Sequence, residues 1–199
     1  DYPIKTGIIY DASVVETKYK AQYHNHHNFS RPSLSQRFIY KDSLEFVLCA
    51  NHFKSKGSRN AKGLDLDQKD GQASYNYKRK LQASSVLDII DSLYLDENLI
   101  VLGDFNAYSQ EDPIQALESK NLNRLETVNN SYLYKGKKGS LDHIFVSDNF
   151  KDHIDQVQTW NINSIYPSWI NYSYNLADSS YFRSSDHNPM VLGVNGYVK

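Results

Sequence analysis

Short apolar runs that stop at an aspartate or a histidine constrain this chain more than any other feature. Leu99-Ile100-Val101-Leu102 leads into Gly103-Asp104-Phe105-Asn106. Ile144-Phe145-Val146 follows Leu141-Asp142-His143, and Met190-Val191-Leu192 follows Ser184-Ser185-Asp186-His187. A fourth run, 44–53 (LEFVLCANHF), ends in Asn51-His52-Phe53. Runs this short, rich in branched residues, predict buried strands, and they fall far below membrane-spanning length. Polar groups at their ends converge on one edge of a sheet, where open α/β folds place their chemistry. Nothing in the packing of a sheet requires that arrangement three times over. The pattern predicts an enzyme site that handles a metal ion and a phosphate.

The rest of the chain alternates element types. Residues 6–10 predict a short strand, 22–35 a polar loop holding His24, His26 and His27, and 37–41 a strand turning through Lys41-Asp42-Ser43 into the run from Leu44. Residues 54–72 form a long loop rich in Gly, Lys and Asp, of a kind that tends to be functional. Ala83, Val86, Leu87, Ile90, Leu93 and Tyr94 share one face of a helix over 75–95, with Arg79 and Lys80 elsewhere. Glu111-Asp112-Pro113 opens a shorter helix through Leu117. Strands follow near Tyr132, 141–147, 157–162 and 189–194. Strands paired in succession between helices predict a mixed sheet. At 199 residues, this is one α/β domain over 1–199.

The segments NHFKSKGS, GDFNAYSQEDPI, SLDHIFVS and FRSSDHNP, in that order, resemble the endonuclease/exonuclease/phosphatase superfamily. The resemblance runs from about Thr6 to Val194, includes the Tyr174-Asn175 context, and is strongest to bacterial extracellular nucleases related to DNase I. It implies a four-layered α/β/β/α sandwich of two mixed sheets. The family's first strands, one carrying an Asn and the next a metal-binding Glu, have no counterpart ahead of Thr6. The resemblance therefore implies an N-terminally incomplete domain. Some extracellular relatives carry cysteines in the loop after NHFKSKG, where this chain has Ser58 and Ser74. Cys49, the single cysteine, sits inside an apolar run and reads as a small buried hydrophobe.

Phosphodiester hydrolysis needs an attacking water, an in-line leaving oxygen and positive charge on the phosphate oxygens, which a hard cation on carboxylates supplies. The resemblance assigns catalytic roles to His52, Asp104, Asn106, Asp142 and His187. Asp104 orients water, Asn106 donates to the phosphate, and Asp142 holds the second ring nitrogen of His187. Asp186 and Asp104 are the implied metal contacts, with Mg2+ expected and Mn2+ or Ca2+ as alternatives. Tyr10 and Lys54 are the implied substrate contacts.

A formal charge of −1 argues against a polybasic nucleic-acid coat. Lys54, Lys56, Arg59 and Lys62 nevertheless form a basic run suited to a nucleic-acid backbone or to plain solvation. Asp65, Asp67 and Asp70 lack EF-hand spacing, and the three histidines lack a completing ligand; a polar surface loop explains both groups better. Tyr166, Trp169, Tyr172, Tyr174, Tyr181 and Phe182 either stack on bases or cap the core. The expected activity is a secreted bacterial nuclease cleaving DNA or RNA as a monomer, extracellular or periplasmic, with no membrane partner. A phosphatase or phospholipid phosphodiesterase on the same fold is the alternative, together with an inactive fragment or binding module.

Overall fold

The computed structural model describes residues 4–41, 43–120, 122–167, 169 and 182–195. Asp42, Tyr172, Tyr174, Asn175 and Tyr181 lie outside them.

Six strands form one mixed sheet: β1 (Val15–His24), β2 (Ser33–Tyr40), β3 (Leu44–His52), β4 (Leu99–Asp104), β5 (Leu122–Arg124) and β8 (Asp142–Ser147). Their order is β1-β2-β3-β4-β8-β5, with β3 and β4 parallel and the other pairs antiparallel. A hairpin, β6 (Tyr132–Tyr134) with β7 (Lys137–Gly139), and a pair, β9 (Ile154–Thr159) with β10 (Met190–Val194), stand apart from it.

Alternation along β3, β4 and β8 sorts the core into two layers. Val47, Cys49, Leu99, Val101 and Phe145 face helices α1 (Asn76–Leu93) and α2 (Asp112–Glu118), packing on Ala83, Val86, Ile90, Ile114 and Leu117. Leu44, Ile100, Ile144 and Val146 face the other way, against Val157, Met190 and Leu192 of β9 and β10. Burying each such side chain contributes roughly 1.5–3 kcal/mol, so the two layers on β3, β4 and β8 anchor the molecule. Helices, mixed sheet and the β9–β10 pair form successive layers, as the family resemblance implies, with β9–β10 an antiparallel pair among the described residues where a second mixed sheet is expected.

Several local expectations give way to longer-range pairing. Residues 6–10 form no strand: Ile9 is fully exposed and the segment joins no ladder. The first strand is β1, and the loop expected over 22–35 is shorter, because Gln22, Tyr23 and His24 pair with Ser35, Leu34 and Ser33. A register shift between Lys18 and Gln22, where Tyr19 adopts φ 65°, breaks the alternation that would have revealed β1.

In α1 the buried face takes in Arg79 and Gln82, both fully buried, while Leu93 is exposed. Arg79 donates to the carbonyls of Gln72 (2.7 Å) and Ser74 (2.9 Å), and Gln82 Oε1 accepts from the Lys54 amide (2.8 Å). Polar side chains of α1 thus hold both ends of the 54–74 loop. Asp65 closes the helix start: its carbonyl accepts from the Tyr75 amide and its carboxylate from the Lys78 amide. Asp67 and Asp70 cap their own turns at Lys69 and Gln72.

Candidate active site

The register of the central sheet builds the site. His52 pairs with Asp104 across β3 and β4, and Asp104 pairs with Asp142 across β4 and β8. Residues paired in register share a face, so three polar side chains stand side by side at one end of the apolar ladder Leu102, Ile144 and Ala50. Gly103 makes this possible. It adopts φ 140°, and a Cβ there would lie 1.9 Å from the Asn51 carbonyl oxygen. No other residue fits between β3 and β4 at the point where Asp104 emerges.

His187 arrives from outside the sheet, just ahead of β10. Its Nδ1 meets Asp142 Oδ2 at 2.6 Å, which leaves Nε2 for a substrate. Asn188, buried behind it, accepts from the Asn163 and Ser164 amides (both 2.9 Å) and donates to the Asn130 carbonyl (3.0 Å). Asn163 in turn donates to the His187 carbonyl (2.8 Å). The imidazole therefore sits on a buried amide scaffold that rests on Asn130 and Ser131. Ser131 Oγ accepts from the amides of Leu141 and Asp142, at 3.1 and 3.2 Å.

Asn106, at φ 49°, folds back on the aspartate it follows. Its amide N–H reaches Asp104 Oδ1 (2.8 Å), and its side-chain nitrogen donates to Asp104 Oδ2 (3.1 Å) and the Phe53 carbonyl (3.2 Å). Both side-chain protons are committed within the protein, so Asn106 as placed orients the carboxylate rather than offering a donor to phosphate.

Electrostatics separate the three ionisable groups. Burial and the neighbouring Asp142 push Asp104 up to about 6. Burial also works against the charge of His187, yet its hydrogen bond to Asp142, with Asp104 and Asp186 nearby, lifts it to about 9. Burial, then the positive charges of Arg31 and His187, lowers His52 to about 4. His52 is thus neutral near pH 7, and its 3.4 Å contact with Asp104 is a polar contact, not an ion pair. His187 is the cation of the site and Asp104 an anion held close to its titration point.

Donor atoms of Asp104, Asp142 and His187 all lie within 4.8 Å of one another. Two adjacent carboxylates, one of them raised by the other, form an oxygen-rich set that a hard divalent cation would relieve. Asp186 is exposed and outside this cluster, though close enough to act on His187.

The remaining expected contacts fall elsewhere. Tyr10 packs edge-on against Phe38, which pairs with Phe46 at the far end of β3 from His52. Lys54 turns its ammonium over the Tyr75 ring, 4.3 Å from the centroid. Lys56 is consumed by Glu111 at 2.6 Å. His24 meets Ser35, and His26 meets Ser85 and lies tilted against His27. Tyr166 and Phe182 pack on each other, while Trp169 is exposed. Arg31, Asn163 and Asn188 reach the site on loops without periodicity, and Tyr132 on β6, a strand too short to show alternation. Only Asn188 carried a signal, its place beside His187 in FRSSDHNP.

Two clefts share Asp142. One, of about 310 Å3, includes His187, Asn163, Ser185 and Pro189. The other, about 460 Å3, opens between Tyr108, Arg124, Thr127 and Lys138.

A family model described as Endonuclease/Exonuclease/phosphatase family matches residues 60–187. No curated protein matches the chain in sequence. Among solved structures the chain is similar to a functionally unknown conserved protein from Enterococcus faecalis V583, at 15% identity and TM-score 0.60, covering 94% of this chain and 69% of that one. It is similar to an endonuclease/exonuclease/phosphatase family protein from Bacteroides thetaiotaomicron, at 18% identity and TM-score 0.54, covering 76% and 57%. A third is the mannosyl-6-phosphatase of Bacteroides thetaiotaomicron, at 17% identity and TM-score 0.59, covering 93% and 68%. At these identities the likeness is one of fold. The chain spans 57% to 69% of the length of these structures.

Proposed function

The chain belongs to the Endonuclease/Exonuclease/phosphatase family, and from that membership we propose that it hydrolyses phosphodiester bonds of nucleic acid with a divalent cation. The observation that carries the reading is the in-register row of His52, Asp104 and Asp142 closed by His187 at 2.6 Å. A phosphate seated against that row meets a cationic imidazole and a neutral one on the same face as two carboxylates.

Each residue has a distinct task. Asp142 holds His187 through Nδ1, so that Nε2 can donate to a phosphate oxygen. Asp104, oriented by both nitrogens of Asn106, accepts a proton from the attacking water. His52 supplies a neutral ring nitrogen beside them. Asp104 and Asp142 would hold the cation, Mg2+ in this proposal, which when bound supplies charge neutralisation at the phosphate. The proposal extends to a secreted protein acting as a monomer.

Supercoiled plasmid, structured RNA, p-nitrophenyl phosphate and sphingomyelin, each incubated with the protein and Mg2+, test this reading. Nicking or RNA cleavage in Mg2+ but not in EDTA is expected. Phosphate release from the monoester alone would replace the nuclease reading with a phosphatase one, and turnover in EDTA would remove the metal.

A further inference from the structure

Beside the catalytic edge, hairpin β6–β7 carries a pattern that hydrolysis itself does not use. Its sequence from Tyr132 to Gly139 is YLYKGKKG, and no acid occurs between Glu126 and Asp142. Lys135 and Gly136 form its turn with φ of 48° and 80°, the left-handed pair that a tight two-residue hairpin requires. Lys135, Lys137 and Lys138 are all exposed. Among the described residues no ion pair involves any of the three, in contrast to Lys56, Lys80 and Arg124, which pair with acids.

Aromatic rings link this basic hairpin to the catalytic imidazole. Tyr132 bridges to His187 through the backbone and lies against its ring at 4.6 Å between centroids. Tyr134 lies parallel to Tyr132, at 6.3 Å and 14°, with more than half its surface exposed and the Lys135 ammonium 5.3 Å from its ring. Lys138 also lines the larger cleft, which reaches Asp142. Charge and a stacking face therefore extend outward from the site along one side.

We propose that hairpin β6–β7 grips a polynucleotide strand beside the scissile phosphate, its three lysines on backbone phosphates and Tyr134 stacked on a base. The proposal rests on the nucleic-acid reading above and names what a substrate needs: several consecutive phosphates and an unpaired base. Unpaired lysines suit a phosphate backbone, and a tyrosine face suits any base. An anionic lipid surface fits less well. Leu133 is half-buried, so the hairpin offers no apolar tip to insert.

Binding in EDTA separates the arm from catalysis. Fluorescence anisotropy of a labelled single-stranded 12-mer, titrated with the protein at several salt concentrations, gives affinity and salt slope. The triple variant Lys135→Gln, Lys137→Gln, Lys138→Gln should lose at least about tenfold in affinity at moderate salt. Its log–log salt slope should flatten by about 2, three phosphate contacts at ~0.7 each. The Lys→Arg triple should bind like wild type. Tyr134→Ala should weaken binding about tenfold with the slope unchanged. No binding by wild type, equal binding by the glutamine triple, or binding to phosphatidylserine vesicles instead of the oligonucleotide would overturn the proposal. Loss of Mg2+-dependent cleavage with binding retained would remove the nuclease reading and leave the arm. Equal binding by the glutamine triple, with cleavage intact, would do the reverse.

Discussion

Asp142 and His187 act as one unit at 2.6 Å, and their variants should behave as one. His187→Ala and Asp104→Asn should each lower the hydrolytic rate about a hundredfold or more, as loss of a proton-transfer group does. Circular dichroism should show both folded, because neither side chain belongs to the apolar core. Asp142→Asn should add little to His187→Ala, and full additivity in the double variant would separate the pair. In metal-free buffer, the His187 ring should titrate near 9 by NMR and fall toward the ordinary histidine value in Asp142→Asn. The sign for stability follows from the direction. A folded value above the unfolded one favours the native state fully below about 6.5 and loses that advantage as pH rises through about 9. Urea midpoints of wild type and His187→Gln should therefore converge across that window. At this scale His52, Asp104, Asp142 and His187 were legible because each sits at or beside the end of a short apolar run. Asn163 and Arg31 were not, since only chain crossings bring them there, and Asn188 was marked only by its place beside His187.

Helix α1 shows what periodicity conveys and what it hides. Ala83, Val86 and Ile90 occupy the buried face that their spacing predicts, yet Arg79 and Gln82 share that interior. A charged residue that the periodicity leaves off the apolar face is instead the anchor for the 54–74 loop, with the Gln72 and Ser74 carbonyls as its partners. Arg79→Ala should cost about 3 kcal/mol or more, because it strands buried carbonyls as well as removing the donor. Chemical denaturation measures it, and a loss below 1 kcal/mol would mean the carbonyls find other donors. Gly103→Ala should be as damaging for a steric reason, as its Cβ would overlap the Asn51 carbonyl and pry β3 from β4 where His52 and Asp104 pair. The short apolar runs made β3, β4, β8 and β10 readable. β1, largely exposed and broken by a register shift, and β5, three residues long, depend on partners for their existence.

Across the whole molecule, burial divides the sheet unevenly. The strands β3, β4 and β8 are covered on both faces, whereas β1 is an edge strand with mostly exposed side chains and β10 is half-buried throughout. Amide exchange should be slowest in β3, β4 and β8 and fastest in β1 and β9–β10, reporting separate openings. Uniform protection across all of them would show one cooperative unit. The fold class and the convergence of the motifs were visible in the order of the segments. The division of labour between the two core layers was not, because it depends on which face each run presents.

Cys49 sits at the centre of that protected region, wholly buried on the helix-facing side and within 3.2 Å of the Ser33 hydroxyl. With no second cysteine in the chain, it serves as a single built-in stopwatch. A thiol-reactive dye has one address, and that address opens only when β2 and β3 part from the helices above them. The rate of labelling in native buffer then measures how often the central sheet comes undone, with no engineered reporter in the protein.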